Sequence, residues 1–125
     1  MNQPAASQIM IIGIDAHFCY LMKRYLKRSA HHSLLANIAD NIVSQVKQIK
    51  PAAILLEVGK PGTSGWQILR ALKKVDDTCH IPILAFTWQD DHAKIQDAGA
   101  DLSIQMPILY EDFSLALKTV GIDAG

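Results

Sequence analysis

Residues 50–66 read Lys-Pro-Ala-Ala-Ile-Leu-Leu-Glu-Val-Gly-Lys-Pro-Gly-Thr-Ser-Gly-Trp and contain the pattern that decides the fold. The run Ala52–Val58 is apolar apart from Glu57. It is too short for a helix and suits a strand that is buried on both faces of a parallel sheet. A loop rich in glycine and proline follows, and Ser64 then begins a helical pattern. This stretch therefore predicts a strand, a loop and a helix, with one carboxylate where the strand ends.

The same alternation of strand and helix continues along the whole chain. Five short apolar runs are predicted as strands: Gln8–Ile14, Ser33–Ala36, Ala52–Val58, Ile81–Phe86 and Leu102–Gln105. Five amphipathic segments are predicted as helices: Ala16–Ser29, Ile38–Ile49, Ser64–Val75, Asp90–Ala98 and Glu111–Val120. Five βα units in succession imply an α/β fold, a doubly wound five-stranded parallel sheet with helices on both faces.

Length and composition predict one domain in the cytoplasm. The 125 residues are half apolar, which is enough for one core, and we expect it to span residues 8–120 between flexible tails at 1–7 and 121–125. Twelve basic residues balance twelve acidic ones, so no overall field attracts nucleic acid or anionic lipid. No run approaches the roughly 20 apolar residues of a membrane span. Cys19 and Cys79 lack the spacing of a zinc or redox motif, so we expect neither a metal nor a disulfide.

Candidate functional residues stand where the predicted strands end. In a doubly wound sheet the functional crevice lies beyond the carboxyl ends of the strands, at the point where the strand order reverses. The residues found there by position are Gly13, Ile14, Asp15, Glu57, Thr87, Met106 and Pro107.

Several of these segments resemble the receiver domains of bacterial response regulators. Residues 50–66 look like the family's acceptor strand and its proline–glycine loop, with Glu57 in place of the acceptor aspartate. Ile81–Thr87 resembles the fourth strand, which ends in a hydroxyl switch residue. Ala98–Asp101 and Met106-Pro107 resemble the turn before the fifth strand and the cis-proline motif after it. The resemblance implies a (βα)5 flavodoxin-like receiver fold and a role in two-component signal transduction or a phosphorelay.

The residues that receiver chemistry needs are largely missing. Phosphorylation requires a magnesium ion held by carboxylates and a lysine that neutralises the phosphoryl charge. The resemblance places Gly13 and Ile14 at the acidic pair, with only Asp15 just beyond. It places Met106 at the lysine and Ser103 at the aromatic switch position. We therefore expect a degenerate pseudo-receiver that has no catalytic residue, cofactor or metal.

Two interpretations of Glu57 remain open at this point. In the first, its longer side chain imitates a phosphorylated aspartate and receives a hydrogen bond from Thr87. In the second, it is a solvated carboxylate at the end of a strand whose site has lost its purpose. Trp88 follows Thr87 where the family usually has a small residue, which predicts an indole over the mouth of the pocket.

The leading functional hypothesis is a phosphorylation-independent module that acts by protein–protein contact. The partner would be a signalling kinase, another regulator or a second copy of the chain. A basic patch on the first helix is the candidate docking surface, although a solvated helix face has the same composition: Lys23, Arg24, Lys27 and Arg28.

Two alternatives belong to other functional classes. In one, Glu57 and Asp15 retain magnesium-dependent phosphoacceptor activity. In the other, the chain is a flavodoxin-like binder of a small ligand, with Trp88 and Met106 lining an apolar pocket.

Overall fold

Strands and helices alternate in the computed structural model, which describes residues 8–36, 40–59 and 62–122. The strands are β1 (Gln8–Ile12), β2 (His32–Leu35), β3 (Ala53–Glu57), β4 (Ile83–Thr87) and β5 (Leu102–Gln105). The helices are α1 (Ala16–Arg28), α2 (Ile42–Ile49), α3 (Ser64–Lys74), α4 (His92–Asp97) and α5 (Tyr110–Thr119). The predicted α/β alternation is confirmed. The predicted start of the second helix at Ile38 and the tail residues 1–7 and 123–125 lie outside the described residues.

The strands form one parallel sheet with the order β2-β1-β3-β4-β5. Ile12 pairs with Leu56, and Glu57 pairs with Phe86. The chain moves outward from β1 to β2 and then returns to the other side of β1 for β3. The strand order therefore reverses between β1 and β3, and Glu57 ends the strand on one side of that reversal.

A hydrophobic core lies on each face of the sheet because the central strands bury both sets of alternate side chains. Ile54 and Leu56 of β3 point into one core, which α2, α3 and α4 cover. Ala53 and Leu55 point into the other core, which α1 and α5 cover. This double burial explains why β3 reads as an uninterrupted apolar run. It confirms the doubly wound architecture.

The helices begin and end at residues suited to those positions. Asn41 caps α2 by accepting a hydrogen bond from the backbone N–H of Ser44 at 3.1 Å, and Lys50 ends it in the left-handed conformation. α4 has only six residues, in keeping with the short pattern between Thr87 and Gly99. Within the described part of the chain, no helix is long and apolar enough to span a bilayer.

Lys73 holds together the amino edge of the sheet, opposite the carboxyl ends of the strands. The Nζ of Lys73 donates to the carbonyl oxygens of Cys79 at 3.0 Å and Ile81 at 2.9 Å. It also pairs with Oδ2 of Asp101 at 2.8 Å, and this oxygen accepts the backbone N–H of Ile83. The end of α3 is thereby joined to the start of β4 and to the turn before β5.

The described core continues past the predicted end of the domain. Ile122 is buried, and its backbone N–H donates to the carbonyl of Leu117 at 2.9 Å. It packs in the same core as α1 and α5. The packed part of the described chain therefore reaches Ile122, inside the segment 121–125 that the sequence predicts as a tail.

His31 is a buried polar side chain at the junction between α1 and β2. It is 7% exposed, and neither Nδ1 nor Nε2 has a hydrogen-bond partner among the described residues. Ala30 turns the chain there with a φ of 61°, which lets the backbone N–H of His31 bond to Leu26. Burial lowers the pKa of His31 because the charged imidazolium loses its hydration.

This lowered pKa predicts a dependence of stability on pH. The unfolded chain protonates His31 at its ordinary pKa near 6.5, whereas the folded state resists protonation. The contribution of His31 to stability is therefore full above about pH 6.5 and is lost as the pH falls towards the folded-state pKa. In urea unfolding, we expect the wild-type protein to lose more stability between about pH 7.5 and about pH 5 than His31→Phe does. His32→Gln is the matched control, because it changes the exposed neighbour and leaves the buried His31 in place. Identical pH profiles for the wild type and His31→Phe would contradict the assignment.

Candidate functional site

A cleft opens at the carboxyl edge of the sheet, where β1 and β3 end and the strand order reverses. It has a volume of about 320 Å³. Its lining includes both apolar and acidic side chains: Ile12, Ile14, Asp15, Leu56, Glu57 and Ile68. A cleft at this point of a doubly wound sheet is the expected location of a functional site.

The carboxylate of Glu57 bonds to the loop between β1 and α1. Its Oε1 accepts the backbone N–H of Ile14 at 2.8 Å and that of Asp15 at 3.0 Å. The residue is half-buried at the last position of β3. One oxygen therefore receives two charge-assisted hydrogen bonds from the neighbouring strand end, and the side chain leans towards β1.

Gly13 leaves no room for an acidic side chain at the end of β1. A Cβ atom there would lie 2.7 Å from Cδ2 of Phe18 and 3.0 Å from Oε1 of Glu57. Phe18 is buried and packs edge-to-face against Phe86, with 5.6 Å between the ring centroids. An aromatic ring and the Glu57 carboxylate thus fill the space beside Gly13.

Asp15 acts as the N-cap of α1. Its backbone is extended, and its Oδ1 accepts the backbone N–H of His17 at 3.1 Å. A cap of this kind satisfies one of the free N–H groups at the start of a helix. The carboxylate of Asp15 is therefore engaged by its own helix.

Thr87 is fully buried, and its hydroxyl group is turned towards α4. Oγ1 donates to Oδ1 of Asp91 at 3.1 Å and accepts the backbone N–H of Gln89 at 2.9 Å. These bonds organise the turn that leads into α4. The hydrogen bond from Thr87 that would support Glu57 as an imitation of a phosphorylated residue is therefore replaced by one to Asp91.

Met106 is a core residue. It is 5% exposed and belongs to the same cluster as Phe18 and Phe86. The bond between Met106 and Pro107 is cis, which confirms the cis-proline motif expected from the sequence. At the position where the resemblance expects a cation, the chain places an apolar side chain in the protein interior.

Comparison with known proteins supports the same family. No protein-family model matches the chain. The polar-differentiation response regulator DivK of Brucella anthropi is 24% identical over 119 residues, which cover 93% of this chain and 97% of that protein. The phosphate regulon transcriptional regulatory protein PhoB of Pseudomonas aeruginosa is 30% identical over 115 residues, 90% of this chain. The match covers only 50% of PhoB, so this chain spans half the length of that relative.

A solved structure shows the same fold. The receiver domain of a sensor histidine kinase from Pseudomonas aeruginosa PAO1, crystallised with a magnesium ion in its active site cleft, matches with a TM-score of 0.79 and 20% identity. The match covers 94% of this chain and 99% of that chain. The chain has the receiver fold, and its sequence is similar to those of response regulators.

Magnesium does not fit the cleft of this domain. Gly13 and Ile14 supply no carboxylate, Asp15 caps α1, and one oxygen of Glu57 already accepts two N–H groups. Among the residues that the structure describes, no three His, Cys, Asp or Glu side chains are grouped to hold a metal ion. The oxygen ligands that magnesium requires are not brought together here.

Cys19 borders the loop between β1 and α1. Its thiol donates to the carbonyl of Gly13 at 3.5 Å. Burial raises the pKa of this thiol, and the negative charges of Glu57 and Asp15 raise it further. The sulfur is therefore held in its protonated form, which is neither a metal ligand nor a nucleophile.

Ser103 joins a polar network between α4 and β5 that the sequence did not reveal. Its Oγ bonds to Nδ1 of His92, and Nε2 of His92 bonds to Oε1 of Gln105 at 2.9 Å. The amide nitrogen of Gln105 donates to the carbonyls of Thr87 and Met106, so its oxygen faces the imidazole. With this orientation, Nε2 of the neutral ring donates to Gln105 and Nδ1 accepts from Ser103.

A sequence signal for this network exists, although it is weak. Ser103 and Gln105 stand two residues apart in β5, so their side chains share one face of the strand. Two polar residues on one face of a strand next to a short helix indicate a polar contact with that helix. The partner His92 is not specified by the spacing, because the position of α4 over β5 depends on the loop before it.

Trp88 and Met106 do not line the apolar cleft at this edge of the sheet, contrary to the prediction. Trp88 is 60% exposed, whereas Met106 is buried in the core. The cleft at this edge has its apolar lining from β1, β3 and α3 instead. Trp88 belongs to the outer surface of the domain.

The basic face of α1 lies away from this cleft and is exposed: Lys23, Arg24, Lys27 and Arg28. Arg28 lies over the ring of Tyr110, 4.0 Å from its centroid. Arg24 donates to the hydroxyl of Tyr20 at 3.0 Å. Two of the four cations are therefore partly ordered by tyrosine side chains.

The bonds made by Glu57 predict a specific stability pattern. Replacing Glu57 with Ala removes the acceptor for two backbone N–H groups, and we expect a loss of about 1–2 kcal/mol in the free energy of unfolding. Glu57→Gln keeps an acceptor oxygen and should lose less than half as much. As a control, Glu111→Ala changes an exposed carboxylate at another helix and should have an effect within about 0.5 kcal/mol. Equal urea midpoints for Glu57→Ala and the wild type would show that the link contributes nothing.

Proposed function

We propose that this receiver domain acts in two-component signalling by protein–protein contact and without accepting a phosphoryl group. The observation that carries the proposal is the position of the Glu57 carboxylate. Its Oε1 accepts two backbone N–H groups of the loop after β1. A carboxylate held in this way serves as a structural link between β3 and that loop.

The surroundings of Glu57 do not supply the parts that phosphoryl transfer requires. The transfer needs a positioned nucleophile, metal ions that neutralise the phosphoryl oxygens and a further cation. Two N–H groups withdraw electron density from the Oε1 of Glu57, and the side chain of Met106 is apolar and buried. We therefore propose that the domain is not an enzyme. Magnesium-dependent acceptor activity at Glu57 is the competing hypothesis.

Glu57 is better described as a structural residue than as an imitation of a phosphorylated one. An imitation would need a contact that transmits the charge to the switch residue Thr87. That hydroxyl is occupied by Asp91 and Gln89, at 3.1 and 2.9 Å. We propose that the position of α4 depends instead on its own hydrogen bonds to Thr87 of β4 and to Ser103 and Gln105 of β5.

The proposed partner is a protein in the cytoplasm: a signalling kinase, another regulator or a second copy of this chain. Balanced overall charge gives nucleic acid and anionic membranes no general attraction, so recognition depends on a local surface. The basic face of α1 offers such a surface. Among the described residues, none of its four cations forms an ion pair, which leaves them available to an acidic partner.

A titration followed by amide NMR tests whether the acceptor site is inactive. Magnesium is added first, followed by beryllofluoride, which mimics a phosphoryl group and binds to receiver sites. Because the cleft lacks magnesium ligands, we expect unchanged resonances for Glu57, Thr87 and Met106 at millimolar magnesium. A receiver domain with an aspartate acceptor and an intact acidic pair serves as the positive control. Saturable shifts centred on Glu57 would establish the competing hypothesis.

Charge reversal tests the docking surface on α1. The variant reverses the whole basic face to glutamate: Lys23, Arg24, Lys27 and Arg28. Binding to a cognate kinase in a pull-down or by calorimetry should weaken at least about tenfold, since like charges then face an acidic partner. A control variant reverses four exposed cations on the other side of the sheet: Lys47, Arg70, Lys74 and Lys94. Equal losses in the two variants would show that net charge, and not the α1 surface, determines binding.

A further inference from the structure

Another cavity lies between the second half of α1 and the edge strand β2, remote from Glu57. Its volume is about 460 Å³, which lies within the range of small-ligand pockets. Its walls are basic and aromatic: Tyr20, Lys23, Arg24, Lys27, His31 and His32. The helix and the strand that form these walls are both described in full.

The positive charge of this pocket has no ion-pair partner within the part of the chain that the structure describes. Lys23, Arg24 and Lys27 are exposed, and no carboxylate among the described residues pairs with any of them. The chain as a whole has twelve basic and twelve acidic residues, so the excess of positive charge is local. A concave basic surface of this kind attracts a small anion.

His31 provides a second and independent indication of a ligand. It lines the pocket and is 7% exposed, and both of its ring nitrogens lie out of contact with water and without a partner in the described structure. Buried polar atoms in proteins are nearly always hydrogen-bonded, and those that are not often mark the place of an absent ion or water. If the ring turns towards the pocket, an oxyanion bound there supplies the acceptor that the imidazole N–H lacks.

Tyr20 gives the pocket an aromatic wall. Its side chain is 61% exposed, and its hydroxyl accepts a hydrogen bond from Arg24 at 3.0 Å. This bond holds the guanidinium group beside the ring, so less side-chain entropy is lost when the guanidinium binds an anion. The ring is also open to stacking against a planar group of the ligand.

We propose that this pocket binds a small anion that carries a phosphate group. In this proposal Lys23, Arg24 and Lys27 neutralise the phosphate, and the ring of His31 turns towards the pocket and donates a hydrogen bond to one of its oxygens. The site uses none of the residues at the carboxyl edge, so it does not depend on whether Glu57 accepts a phosphoryl group. It shares Lys23, Arg24 and Lys27 with the docking surface proposed on α1, so we expect the anion and an acidic partner to compete there. Free phosphate and the phosphate of a nucleoside monophosphate share this chemistry.

The binding is tested on the whole chain by amide NMR with inorganic phosphate, against sodium chloride at the same ionic strength. We expect saturable shifts for residues of α1 and for His31 and His32, with a dissociation constant in the millimolar range or below. Shifts that do not saturate, or that chloride reproduces, would overturn the proposal.

Two variants assign the binding to the pocket. His31→Phe keeps an aromatic ring of similar size, removes the nitrogens and should weaken phosphate binding about tenfold. Lys27→Gln leaves the core untouched and should weaken binding severalfold, whereas Lys74→Gln on α3 should leave it unchanged. Unchanged affinity in both His31→Phe and Lys27→Gln would place the phosphate elsewhere and overturn the assignment.

The source of the phosphate is distinguished by comparing inorganic phosphate with adenosine monophosphate. Tighter binding of the nucleotide, with a change in Tyr20 fluorescence or ring resonances, assigns a nucleotide as the ligand. Equal affinities assign the pocket to phosphate itself. A complete absence of binding by either probe overturns the proposal and leaves the pseudo-receiver hypothesis unaffected, because the magnesium titration tests that hypothesis at a different site.

Discussion

The carboxylate of Glu57 joins the two strands between which the sheet reverses its order. Its Oε1 fixes the first two amides after Gly13, and this sets the point at which the chain leaves β1. Asp15 is then placed to cap α1. Phe18, in the first turn of that helix, lies against Gly13. The start of α1, the packing of its first turn and the shape of the cleft all depend on this one carboxylate. The Glu57 carboxylate thus binds backbone N–H groups at the position where receiver chemistry would need a carboxylate that binds magnesium and phosphate.

The other departures from a receiver site fit the same local arrangement. The apolar Met106 belongs to the same core cluster as Phe18, so the interior gains dispersion contacts in place of a cation that would need a counter-charge. The buried Thr87 finds its partner in Asp91 at the start of α4. His92 then connects this helix to β5. Polar contacts are therefore concentrated between α4 and β5, while the side chains around Glu57 contribute mainly packing.

The sequence predicted most of the fold and only part of the site. The five apolar runs located the strands because burial on both faces leaves a signal that does not depend on side-chain orientation. The cis bond at Met106-Pro107 followed from a local motif. The direction of the Glu57 side chain did not follow, since a rotation about two bonds decides whether it meets the loop after β1 or Thr87. The burial of His31 was also invisible, because it depends on how the end of a basic helix turns into an edge strand.

The close contact at Gly13 also limits which substitutions the residues around the cleft can tolerate. An aspartate there would need the space of the Phe18 ring, whose nearest atom is 2.7 Å from the required Cβ. A lysine at Met106 would carry an ammonium group into a core position that is 5% exposed, and burial of an unpaired charge is strongly unfavourable. Either substitution made alone is therefore expected to lower the stability of the fold. Several residues would therefore have to change together before the cleft held both the acidic pair and the lysine that receiver chemistry uses.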